Sequence, residues 1–265
     1  MKILFFEQDR KEFIKLLAEK IGVESKYLGA PNFSYQVGPY IVNRDGTMEV
    51  EDSEADIALL RELSVQGLID NSWDEEREVI DVSLPVLEYD GISLTNLLKM
   101  IYNRSEIISK AVGSLGAFEI DEELLIRIAK EEPDTRERFL ELWEEGNGNA
   151  CCKGLEIDDE KIHFSGFPMT ADPDTVKAYT DLASLICQMA KKQKRANFGK
   201  VDSPNEKYSF RVWLIRMGMN GDEYSESRRI LLSRLSGNGA FRTKEQAEIA
   251  KEKLRAARSQ TKGVE

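Results

Sequence analysis

The sequence predicts an α+β fold in two domains: a small antiparallel-sheet domain with helices over residues 1–70, then a mixed, mainly helical domain with a short antiparallel sheet over residues 79–262. Three observations predict it. Residues 26–50 alternate aromatic and β-branched residues between the turn dipeptides Gly38-Pro39 and Asp45-Gly46, the pattern of a hairpin meander. From Leu94 onward, apolar residues recur three and four apart behind capping residues, which is the helical period. Between the two regions, DNSWDEERE at residues 70–78 is polar and acidic enough to be a linker or exposed turn.

In chain order, KILFF (residues 2–6) reads as a strand, and Asp9 caps a helix whose Phe13, Leu16, Leu17 and Ile21 share a face that Gly22 terminates. The meander follows, and a helix over 53–67, with Ile57, Leu60, Leu63 and Ser64 inward, covers one side of it. Residues 79–86 alternate around Val82, Leu84 and Val86 as a strand. Helices from Leu94 bury Leu97, Leu98, Ile101, Ile107, Ile108 and Val112. Asp121 caps a helix through Lys130, and Pro133-Asp134 restarts the chain into a helix carrying Phe139, Leu142 and Trp143. A hairpin turns at residues 158–161. Asp172-Pro173 then opens a long helix with Val176, Tyr179, Ala183, Ile186 and Ala190 inside.

The stretch 203–242 organises the C-terminal end. It reads as a helix to Met217 with Phe210, Trp213 and Leu214 on its apolar face, a turn at GMNG, and a second helix capped by Asp222. Tyr224, Ser227, Ile230, Leu231 and Leu235 form the inner stripe of that second helix, and Gly237 and Gly239 end it. A charged helix over 243–258 finishes the chain.

At 265 residues, 41% hydrophobic and 32% charged, the chain is long enough for a well-buried core. It has no run of about 18 apolar residues and no leader pattern, so the expectation is a cytoplasmic protein without a membrane partner. Three cysteines, two of them adjacent at Cys151 and Cys152, cannot form a disulfide framework, and a reducing compartment fits them. The net charge of −11 divides unevenly: residues 191–265 hold 18 Lys+Arg against 9 Asp+Glu, a balance of +9, leaving −20 on residues 1–190. Such asymmetry points to a polyanionic partner, or to the acidic part folding back on the basic one.

Little catalytic chemistry can be assembled from this text. His163, the only histidine, falls in the predicted hairpin as a surface or edge-strand residue, and one histidine makes neither a metal site nor a Ser/His/Asp set. Cys151-Cys152 lacks the spacing of a zinc pair. The glycine pairs Gly146/Gly148 and Gly237/Gly239 follow helices instead of opening them, as a phosphate-binding loop requires. No metal, cofactor or catalytic residue is therefore expected. What remains is a basic set, Lys191, Lys192, Lys194, Arg195, Arg211, Arg216, Arg228, Arg229, Arg234 and Arg242, which on one face would neutralise nucleic-acid phosphates or meet a protein partner. A helix, a turn and a second helix is also the geometry that places a recognition helix in the major groove.

The succession LTNLLKMIYNRSEIISKAVG, GLEIDDEKIHFSGFP with DPDTVKAYTDL, QKR, NEKYSFRVWLIRMGMNGDEY and RRILLSRLSGNGAFRT resembles a module of conjugative and phage-like elements of gut Firmicutes known as "virulence-related protein". KYLGAPNFSYQVG and the hairpin after it are similar to a domain preceding that module. A similar module follows the catalytic domain in some amidoligases, ATP-dependent carboxylate-amine ligases, but nothing here matches the ligase domain. The resemblance implies a mobile-element protein and no catalytic residue. The resulting expectation is a non-enzymatic accessory or binding factor that contacts nucleic acid through its basic C-terminal hairpin. The alternatives are a peptide- or partner-holding subunit of an amide-forming ligase, and an enzyme whose pocket gathers carboxylates.

Overall fold

The computed structural model describes residues 1–6, 10–70, 73–74, 78–201, 203, 205–241 and 246. The fold is α+β, with two small antiparallel sheets and a larger helical part. The first sheet contains β1 (Lys2–Leu4), β2 (Ser25–Gly29), β3 (Ser34–Val37), β4 (Tyr40–Val42) and β5 (Thr47–Glu49) in the order β1-β5-β4-β3-β2. The β4–β5 hairpin forms because Asp45 turns the chain: its Oδ1 accepts from Thr47 N at 3.1 Å and from Thr47 Oγ1 at 2.6 Å, and Gly46 supplies the positive φ of 88°. Val37, Val42 and Met48 face inward, where α1 (Arg10–Ile21) contributes Phe13, Ile14 and Leu17. The residue expected to cap α1, Asp9, lies outside the described residues.

The helix expected over 53–67 is shorter. Residues 52–54 form one 3-10 turn, and α2 (Ile57–Val65) starts at Asp56, whose carboxylate accepts from Leu59 N at 3.1 Å. Ile57, the first helical residue, is left 40% exposed, and the chain reaches the core only at Leu60 and Leu63. Asp70 also departs from expectation. It is fully buried instead of opening an exposed linker, because its Oδ1 accepts from Leu4 N at 2.8 Å and its Oδ2 from Leu115 N at 3.2 Å. One carboxylate thereby ties the first sheet to the helical part.

The second core is built on α3 (Gly91–Val112), two helical segments joined across a kink at Arg104, and it begins three residues before the start at Leu94 that the sequence suggested. Asp90 caps it, accepting from Ser93 N at 2.7 Å, and Gly91 is required by packing, since a Cβ there would lie 2.3 Å from Pro133 O. Around α3 lie β6 (Val79–Pro85), α4 (Glu122–Glu131), α5 (Arg136–Glu145), the short α6 (Gly148–Cys151), β7 (Glu156–Ile157), β8 (Lys161–Pro168), α7 (Pro173–Lys192), α8 (Glu206–Met217) and α9 (Ser225–Ser233). Thr135, and not the Pro133-Asp134 pair, caps α5, its Oγ1 accepting from Arg138 N at 3.2 Å. Asp172 caps α7 as its sequence predicts.

The second sheet has the order β6-β8-β7, with Ile157 opposite Ile162 and Val82 opposite Phe164. His163 is therefore on the central strand and not an edge strand, with its side chain still 26% exposed at the surface of the sheet. Its Nδ1 lies 2.7 Å from Asp81 Oδ2 and its Nε2 3.3 Å from Asp158 Oδ2. The hydrogen bond to Asp81 is the main reason its pKa is raised. A raised folded pKa means the histidine's contribution to stability is complete below its unfolded value of about 6.5 and fades as pH rises through the folded value. Stability measured by urea unfolding should thus decline across that upper window, and His163→Gln should flatten the decline.

Candidate functional site

The segment leaving α7 is held on α3 at two points. Asn96, 2% exposed, accepts from Ala196 N at 2.8 Å through Oδ1, and its Nδ2 donates to Gln193 O at 2.7 Å and Ala190 O at 3.4 Å. Two turns further along α3, the side chain of Asn103 donates to Gly199 O, and its backbone O accepts from Val201 N at 3.0 Å. Between the anchors, Phe198 stacks on Tyr102 with ring centroids 5.4 Å apart. An extended piece of chain is thereby fixed in place of a free loop, and it carries Arg195 and Asn197.

Two cavities flank that piece and share Ala196 and Asn197. The first, about 460 Å³, is lined by Lys99 of α3, Ile126, Ala129 and Lys130 of α4, and residues 195–198. Lys99 is 8% exposed and has no hydrogen-bond or ion-pair partner among the described residues. Burial lowers its pKa and the nearby Arg195 lowers it further, against a weaker opposing influence of Glu132. The second cavity, about 180 Å³, is lined by Arg104, Trp213 and Arg216 among others. Arg104 interrupts the regular backbone of α3 (φ −130°, ψ 17°), donates to Asn103 Oδ1, and lies 4.9 Å over the Trp213 ring. Burial and then Arg216 lower its pKa. Among the described residues neither cavity has an acidic side chain in its lining.

The structure divides the basic set that the sequence singled out. Lys192, Lys194, Arg195 and Arg216 are exposed, with no acidic partner among the described residues, and Arg195 and Arg216 line the two cavities. Lys191 instead pairs with Glu88 at 2.7 Å and covers the Tyr89 ring. Arg228 donates to Met219 O at 2.9 Å and Gly221 O at 3.0 Å, closing the turn between α8 and α9. Arg229 is paired with Glu226 on its own helix, and Arg234 lies 5.1 Å over the Phe6 ring. Arg211 reaches Gly239 O at 3.3 Å. Arg242 and the helix expected over 243–258 lie outside the described residues.

The recognition-helix geometry is corrected as well. Residues 222–224 form a 3-10 turn after Gly221, so Asp222 does not cap a helix, and α9 begins only at Ser225. It packs chiefly on α7, and also on α3 and α8, burying Ser227, Ile230 and Leu231. Ser227 donates to Asp181 at 2.6 Å. Lys99, Arg104 and Lys130 were missed in the sequence. The available signal was Lys99 inside the run Leu97, Leu98, Met100, Ile101, where a helix buried on most faces leaves no ordinary place for a cation.

Other chemistry is sparse. Ser83, Asp81 and His163 do come together, with Ser83 Oγ 3.0 Å from His163 Nδ1, although no such set was expected. Both ring nitrogens face carboxylates, which leaves none free to take a proton from the serine. A cavity of about 520 Å³ gathers Glu106, Glu119, Asp121 and Glu122, but Asp121 caps α4 and Glu119 pairs with Lys153 at 3.0 Å. Burial pushes the thiols of Cys152 and Cys187 up to about 12, so both stay protonated at neutral pH. Among the described residues no group of three or more His, Cys, Asp or Glu side chains is placed to hold a metal ion. No helix among them is long and apolar enough to cross a membrane. Comparison with family models, curated proteins and solved structures gives no match to the chain.

Proposed function

We propose that this protein is a non-enzymatic binding factor that takes up the phosphate backbone of nucleic acid on the basic face around the end of α7. The observation that carries this reading is the segregation of its cations. Lys192, Lys194, Arg195 and Arg216 keep their charge free of acidic partners among the described residues, whereas Lys191, Arg228 and Arg229 spend theirs on internal contacts. In a chain of net charge −11, a face left positive is suited to a polyanion. The contact surface is thereby moved from the α8–α9 hairpin to the α7–α8 connection. In this reading residues 1–70 and 79–262 are its two domains, the three free cysteines fit a reducing cytoplasm, and the resemblance to the virulence-related module supplies the setting of a mobile element.

The test is fluorescence anisotropy of labelled DNA and RNA across about 50–200 mM salt, where phosphate contacts show themselves. Binding should weaken steeply with salt. Arg195→Gln and Arg216→Gln should each reduce the log–log salt slope by about 0.9 if each meets one phosphate on duplex DNA. Arg229→Gln should leave the slope unchanged. Absence of binding at the lowest salt sinks the reading.

A further inference from the structure

We infer that the cleft between α3, α4 and residues 195–198 is a receptor for a single terminal phosphate group, with the Lys99 ammonium at its base and Lys130 and Arg195 at its sides. The inference rests on the same basic face as the nucleic-acid reading but concerns a separate ligand group, a phosphomonoester instead of the diester backbone.

The argument begins with what the cleft lacks. Lys99 is 8% exposed over the whole residue and finds no acceptor among the described residues, so its ammonium has hydrogen-bond donors to offer an acceptor that enters the cleft. A second and a third cation line the same space, and among the described residues its lining holds no carboxylate, Glu132 acting on Lys99 only from outside it. Among the described residues no ion pair neutralises this cluster, and its like charges repel one another unless something offsets them. An anion entering the cleft does so. Three cations suit a phosphate dianion better than a single carboxylate, the ammonium groups acting as point charges and the guanidinium as a fork. The volume of about 460 Å³ exceeds what one phosphate fills. Apart from Asn197, the remaining wall of Ile126, Ala129, Ala196 and Phe198 is apolar and suits an organic body that carries the phosphate.

The site is also built to stay open. Asn96 holds Ala196 on α3, and the stacking of Phe198 on Tyr102 fixes the far end of the segment. The backbone that carries Arg195 is therefore held in place beside the cleft before a ligand arrives.

The experiment has two arms, each run on the whole chain. In the first, thermal unfolding and calorimetry are followed with inorganic phosphate, with chloride at matched ionic strength as control. Phosphate should stabilise the wild type. Lys99→Met, which keeps the length and removes the charge, should bind it roughly tenfold to hundredfold more weakly. Should Lys99→Met fail to fold, Arg195→Gln at an exposed position decides the same question. In the second arm, a 5′-phosphorylated oligonucleotide is compared with its unphosphorylated twin. The phosphorylated one should bind more tightly, and Lys99→Met should erase the difference. A phosphate response unchanged in both variants overturns the inference. If neither oligonucleotide binds while phosphate does so through Lys99, the receptor stands and the nucleic-acid reading falls.

Discussion

Phe167→Ala is expected to destabilise the protein by about 3–5 kcal/mol, the range for removing a buried aromatic side chain. Phe167 is 1% exposed on the central strand β8. Its ring stacks on Tyr179 of α7 at 4.7 Å and meets the edge of Phe118 at 5.2 Å, so it joins the sheet to the helix that leads into the basic face. Tyr179 in turn donates from its hydroxyl to Val112 O at 3.0 Å, extending the same contact to the end of α3. The loss is large against the 5–15 kcal/mol typical of a domain. Urea unfolding followed by circular dichroism checks it. A cost under about 1 kcal/mol, typical of surface substitutions, would mean that β8 does not pack on α7 in this way.

Asn96→Ala is expected to cost on the order of 2–4 kcal/mol, because it strands the buried Ala196 N–H and the carbonyls of Gln193 and Ala190 together. It should also weaken salt-dependent nucleic-acid binding, although it removes no charge, by releasing the segment that carries Arg195. Two measurements separate these effects: amide exchange at Ala196, which should accelerate, and anisotropy under conditions where the variant is still folded. Asn96→Asp retains an acceptor for Ala196 N and should protect that amide better than alanine does. If exchange at Ala196 is as slow in Asn96→Ala as in the wild type, the anchoring role is wrong.

Most helices were legible because their signals are local. Asp121 and Asp172 cap α4 and α7 as their sequence positions indicate, and Gly218 ends α8 in the left-handed conformation that glycine allows. Local signals failed where a distant group competed. Asp70 looked like solvated linker, yet two backbone N–H groups from separate parts of the chain made burial of its carboxylate favourable. The restart expected at Pro133-Asp134 comes later, at Arg136 behind the cap Thr135, with the carbonyls of Pro133 and Thr135 lying close against Gly91 of α3. The basic set was legible as charge but not as a face. Arg228 and Arg234 are drawn inward by carbonyls and a phenyl ring that lie elsewhere in space.

By itself the sequence determined the α+β class, the hairpin meander, the long capped helices and the concentration of positive charge after residue 190. Each follows from residue types within a few positions of one another. Only the tertiary structure decided which cations remain free, that His163 sits on a central strand, and that Lys99 of one helix faces Arg195 of another segment across a cleft. The reason is physical. Capping and turn preferences act over a single turn of chain, whereas the fate of a charge depends on whichever acceptor the folded chain brings within hydrogen-bonding distance, and for Lys99 the described residues bring none.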